Sequence, residues 1–264
     1  MNQQSVLKVR HINPVLLRVL FLFSLATTAV ASESNPFIAI DGGENFHSVL
    51  QSPGTAPVTI KSFRIQQHPV TNDEYLLFVS SHPEWQRGKV AVLFANSEYL
   101  AHWKSAISLG ERAQSQQPVT RISWFAAQAY CESINARLPT WYEWELVAAA
   151  SETAKDARTD AEWRQRILDW YATPADDSLN AVMSNKPNIY GVYDLHGLIW
   201  EWILDFNALT DNSEAQKFCG GGALNLQQKE NFAILMRVAM LSSLHAVDTP
   251  RTVGFRCTQD GTPR

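Results

Sequence analysis

Nine tryptophans, all between Trp85 and Trp202 and none outside that span, constrain this chain more than any other feature. Rings of that size must be buried or given a partner, so the middle of the chain must form a core around them. The composition allows it: 45% of the 264 residues are hydrophobic and 18% charged, too apolar for a disordered chain. A mean hydropathy of −0.18 excludes a polytopic membrane protein. The net charge of −4 offers no basic excess for a nucleic-acid partner.

The N-terminus has a texture of its own. Lys8 and Arg10 precede the apolar run Val19-Leu-Phe-Leu-Phe-Ser-Leu-Ala26, which leads to Ala29-Val-Ala31. Charged, apolar and small-residue segments in that order predict a secretory signal peptide over residues 1–31 and a mature domain over 32–264. The run is short of the roughly 20 apolar residues a spanning helix needs, so no membrane span is expected after cleavage. Cleavage removes Lys8, Arg10 and Arg18 and no acid, which takes the net charge to −7. The expected location is the periplasm or the outside of the cell, and the three cysteines are then in an oxidising compartment.

Residues 58–65 alternate apolar and polar side chains and predict one half-buried strand. Thr71, Thr140 and Thr159 each stand three residues before a Glu at the head of an apolar run, which predicts three capping boxes and three helices. A fourth helix is expected from Ser123 to near Asn135. Beyond residue 180 glycines punctuate short apolar stretches. The texture is that of a loop-rich α+β domain without the strand–helix alternation of a dinucleotide fold. Gly220-Gly-Gly222 lacks the Lys-Ser/Thr and the helix that a phosphate loop needs.

Four blocks taken in order resemble the formylglycine-generating enzyme (sulfatase-modifying factor) family. They are residues 63–75 (FRIQQHPVTNDEY), residues 118–144 with Pro118-Val-Thr-Arg-Ile-Ser-Trp124 and Arg137-Leu-Pro-Thr-Trp-Tyr-Glu-Trp144, residues 188–202 (NIYGVYDLHGLIWEW), and Gly221-Gly222 with Val253-Gly-Phe-Arg-Cys257. The resemblance implies a C-type-lectin-like variant fold, α+β and poor in regular secondary structure. Trp124, Trp141, Trp144, Trp200 and Trp202 would be its buried anchors. It also implies a disulfide between Cys131 and Cys257; the residues alone leave open two buried thiols.

Enzymes of the family oxidise a substrate cysteine with Cu(I) held by two cysteines after the Gly-Gly turn, a donor set that suits a soft ion. Here Gly222 to Met240 contains no Cys, and Cys219 is single and lies before the turn. Copper and formylglycine generation are therefore not carried over. Met236 and Met240 read as core. The resemblance implies calcium at Glu201, but Leu198 stands where the family has an Asn ligand, and Glu201 bonding loop amides is the alternative. The histidines at 47, 68, 82, 102, 196 and 245 include no pair at helical metal-ligand spacing, and His196 reads as a turn residue.

The reading that results is an exported non-oxidase, an accessory or maturation factor that binds a protein or peptide. Oxidative tailoring by other residues and lectin-like carbohydrate binding are the alternatives. Trp85, Trp103, Trp163 and Trp170 lie between the blocks and are where a binding surface is expected; the amphipathic face that carries Trp163, Ile167 and Trp170 either caps the core or docks a partner.

Overall fold

A computed structural model describes residues 1, 35–51, 54–173, 179–210 and 232–261. The expected signal peptide and Cys219 lie outside the described residues. Regular elements are short. The strands are β1 (Phe37–Ile40), β2 (Gly43–Phe46), β3 (Val58–Ile60), β4 (Phe63–Gln66), β5 (Trp200–Glu201), β6 (Val253–Gly254) and β7 (Thr258–Asp260). The helices are α1 (Asn72–Ser81), α2 (Trp124–Ser133), α3 (Trp141–Ala148), α4 (Ala161–Ala172) and α5 (Phe232–Ser242), with 3₁₀ turns at Pro83–Trp85 and Phe206–Thr210. The fold is α+β with little regular structure, as expected.

Local chemistry sets the helix starts. Thr71 and Thr140 each accept from the amide three residues on while Glu74 and Glu143 reach back, so both capping boxes form. Ser123 caps α2. The start of α4 differs from the expectation: Asp160, not Thr159, takes the amides of Glu162 and Trp163. A carboxylate that accepts two amides beside the positive end of a helix outcompetes a hydroxyl. Residues 58–65 also divide. β3 pairs with β2, whereas β4 lies between β1 and β7, and Lys61-Ser62 carries the chain from one sheet to the other. The apolar positions change phase at that step, from Val58 and Ile60 to Phe63 and Ile65, and this marks the divide between the two strands.

The sheet β1-β4-β7 ties the start of the domain to its end. The disulfide Cys131–Cys257 adds a covalent tie from α2 to the residue before β7, closing a separation of 126 residues. Around this frame the core is aromatic. Trp103, Trp141, Trp144, Trp202, Tyr75 and Phe255 are all at most 2% exposed. Each such ring withdraws about 150–250 Å² from water, roughly 4–6 kcal/mol of transfer free energy as an upper estimate. Large rings thus supply what long packed elements supply elsewhere. Trp124 and Trp200 are only half buried. Close approach makes one glycine obligatory. A Cβ on Gly254 would lie 2.4 Å from the Val119 carbonyl oxygen and 2.6 Å from Ile199 Cδ1, in the strand that pairs with Glu201.

Candidate functional site

The β5–β6 pair places two opposite charges at the centre of the domain. Glu201 and Arg256 are both fully buried. Arg256 donates from Nε to both Glu201 carboxylate oxygens, at 3.1 and 3.0 Å, and from Nη2 to Oε1 at 2.8 Å. Its other donors reach the carbonyls of Gln66, Gln67 and Tyr193, and Trp144 Nε1 donates to Glu201 Oε2 at 3.0 Å. Desolvation is offset only because both groups are saturated with partners.

This arrangement bears on the calcium expectation at Glu201. Both Glu201 oxygens are engaged by a guanidinium and an indole, and the buried Leu198 adds hydrocarbon where an oxygen ligand would be needed. The donor set does not fit calcium. Among the described residues no group of three or more His, Cys, Asp or Glu is placed to hold a metal ion. Copper fits no better, because Cys131 and Cys257 are consumed in the disulfide and the sequence leaves one other thiol.

Beside this pair, the Arg237 guanidinium of α5 sits 3.8 Å from the Trp144 ring centroid and donates to the carbonyls of Leu195 and Ile199. Burial pushes its pKa down. His196 lies edge-on to both Trp144 and Trp163, and its Nε2 is 2.9 Å from the Ala148 carbonyl. Since a carbonyl only accepts, Nε2 carries the proton. Burial, then the nearby Arg237, lowers the His196 pKa to about 3. His196 is therefore a turn residue, as expected, half buried and neutral, with its ring packed edge-on to two indoles. It contributes to a cleft of about 390 Å³ whose wall includes Trp163, Ile167 and Asp194.

The four tryptophans expected at a surface do not share one. Trp103 is 2% exposed, its Nε1 donating to Asn72 Oδ1 at 2.9 Å and its ring edge-on to Tyr75. Trp163 is 5% exposed and packs with Ala157 and Ile167. Both are core residues, which corrects the surface expectation for Trp103 and, for Trp163, matches the reading that its helix face caps the core. Indole N–H groups with internal acceptors need no solvent-facing position. Trp170 is half buried and lies against Tyr171 and Trp200. Trp85 remains half exposed. Met236 is exposed at 37%, not in the core, and Met240 packs partly against it.

Around Trp85 the structure shows a surface that single-residue reasoning missed. Val92, Leu93 and Phe94 are 86%, 75% and 44% exposed. The Phe94 ring lies 5.9 Å from Trp85 and 5.5 Å from Phe125, and Phe125 lies 5.4 Å from Trp124. The result is an apolar strip of aliphatic tips and aromatic rings facing solvent. Its signal is visible in the sequence as the run Val90-Ala-Val-Leu-Phe94, an apolar stretch without the periodicity of a buried element.

Comparison with known proteins places these features. The model of the sulfatase-modifying factor enzyme 1-like domain matches residues 23–261. The serine/threonine-protein kinase pkn1 of Chlamydia pneumoniae is 30% identical over 173 residues, covering 64% of this chain and 27% of that protein. The chain spans about a quarter of the length of the chlamydial kinases it matches. The formylglycine-generating enzyme of Streptomyces coelicolor is 28% identical over 188 residues, 61% of this chain and 59% of that one. The inactive C-alpha-formylglycine-generating enzyme 2 of Mus musculus is 28% identical over 234 residues, 72% and 74% of the two chains.

Proposed function

The chain belongs to the sulfatase-modifying factor enzyme 1-like family, and from that premise we propose that it is an exported, non-oxidase member that acts as an accessory or maturation factor by binding a protein or peptide. The observation that carries this reading is the apolar strip of Val92, Leu93 and Phe94 with Trp85 and Phe125. Side chains of this size leave water only when something covers them, and contiguous aromatic and aliphatic surface is what partner-binding sites are made of.

Three further observations support it. The sequence after Gly220-Gly-Gly222 supplies no cysteine pair for copper. A family relative of similar extent bears the name inactive, which fits a fold kept without the oxidation. Export is supported by the order of charged, apolar and small residues over 1–31 and by the Cys131–Cys257 disulfide, which suits an oxidising compartment. The carbohydrate alternative loses one of its stacking platforms, since Trp103 is enclosed.

Val92 and Leu93 make the test clean, because their exposure means that substitution leaves stability within about 0.5 kcal/mol. Purified mature protein is expected to retain a partner from the exported protein fraction. The double variant Val92→Glu/Leu93→Glu is expected to bind that partner at least about 30-fold more weakly, the loss of about 2 kcal/mol typical of a hot spot. Equal affinity of variant and wild type for the isolated partner, measured by titration, would contradict the reading.

A further inference from the structure

The excursion that carries Trp85 and Phe94 also builds a second, chemically different feature. Arg112, Arg121 and Arg251 converge with His102 on a small cavity of about 40 Å³, whose wall is completed by Gln117 and Thr120 among others. Among the described residues the lining contains three guanidiniums and no carboxylate. In a chain with net charge −4 this is a local reversal of sign, and like charges gathered round one space repel unless something negative enters. We propose that this cavity is a binding site for an oxyanion group, such as a phosphate, a sulfate or a carboxylate presented by a small ligand or a side chain. The proposal does not depend on the apolar strip docking a partner.

The neutral amides of Gln117 and Asn72 are already engaged, so the open chemistry lies with the guanidiniums and the His102 ring. Gln117 accepts from the Gln114 amide and donates to the Leu179 carbonyl, and Asn72 bonds Trp103 and the carbonyls of Gln114 and Gln117. Arg121 spends Nη1 on Glu98, a carboxylate 63% exposed and so weakly competitive with a ligand. Arg112 makes no hydrogen bond or ion pair among the described residues. Arg251 has a partner of its own and contributes charge to the wall without being counted as an open donor. His102 Nδ1 is buried and unpartnered. Burial first, then Arg121, Arg112 and Arg87, lowers the His102 pKa to about 4, so its ring is neutral and lies within reach of two guanidiniums of the wall, Arg121 and Arg112.

The backbone holds this geometry under strain. Arg121 and Leu100 both adopt left-handed conformations, with φ of 53° and 48°, and the Leu100 amide donates to the Arg121 carbonyl at 2.9 Å. Non-glycine residues are disfavoured in that conformation, so the surrounding structure must hold both of them there. The cavity has room for on the order of three waters, which suits one head group and not a whole metabolite. Guanidinium planes match planar and tetrahedral oxyanions by paired N–H donors.

The test titrates full-length mature protein with inorganic phosphate, sulfate and acetate at constant ionic strength, followed by calorimetry and by the His102 imidazole resonances. Saturable binding of at least one of the three is expected, with His102 shifted. Arg112→Gln and Arg121→Gln should each weaken it roughly five- to tenfold, and Lys61→Gln, the same charge change on a distant turn, should leave it unchanged. A preference for phosphate and sulfate assigns the group as tetrahedral, and a preference for acetate assigns it as a carboxylate. Non-saturating shifts with all three ions, or equal weakening by Lys61→Gln, would overturn the proposal. Arg112 is exposed, so its variant stays folded even where a change at the strained Arg121 does not.

Discussion

Glu201→Gln is expected to lower the unfolding free energy by about 3–5 kcal/mol, because it leaves a fully buried guanidinium without its counter-charge. The amide keeps the shape but cannot accept on both sides. Its nitrogen would face Arg256 Nε or Trp144 Nε1, both of which are donors. A loss of this size is a large part of the 5–15 kcal/mol that holds a typical domain folded. Replacing both partners, Glu201→Leu with Arg256→Met, is expected to recover much of it, since two apolar groups need no mutual satisfaction. Urea unfolding of the wild type and these two variants at neutral pH measures both effects, and a loss below 1 kcal/mol for Glu201→Gln would show that the pair does not hold the core. The same experiment separates the ion pair from a calcium site. If Glu201 were a calcium ligand, adding calcium would raise the melting temperature of the wild type. No rise is expected.

The second large effect is covalent. Removing the disulfide as Cys131→Ala/Cys257→Ala is expected to cost about 4–5 kcal/mol in the chain-entropy model, given a closed loop of more than a hundred residues. Ala avoids placing new hydroxyls in positions that are fully buried. Reductant added to the wild type should bring its urea midpoint toward that of the double variant. Identical midpoints with and without reductant would mean that the bridge contributes nothing to holding α2 against the C-terminal strand.

Both effects rest on contacts between residues far apart in sequence, and that separation marks the limit of what could be read from the chain alone. The caps at Thr71 and Thr140 were legible because donor and acceptor lie within four residues. The cap of α4 was misplaced by one residue because Thr159 and Asp160 both satisfy a local rule, and only the backbone decides between them. Glu201 meeting Arg256 across 55 residues left no local trace. The same holds for Trp103, whose indole N–H finds its acceptor on Asn72, 31 residues away. Tryptophans in the matching blocks were assigned to the interior, and Trp141, Trp144 and Trp202 are there. Outside the blocks, helical periodicity is a fair guide to Trp163, whereas Trp103, with no periodicity around it, shows that position alone is a poor guide in a fold whose loops are themselves core. The arginine cavity is equally hidden, for it gathers residues from four separate stretches: Asn72, residues 102–121, Leu179 and Arg251.

The central claim is that this chain keeps the family's frame without its oxidation. It is tested most directly by incubating the purified mature protein with Cu(I), oxygen, reductant and a cysteine-containing sulfatase peptide, then measuring bound copper and the mass of the peptide. The expected result is no stoichiometric copper and an unmodified cysteine, since the soft-ion site lacks its two sulfurs. Conversion of that cysteine to an aldehyde at a rate above the protein-free control would contradict the claim.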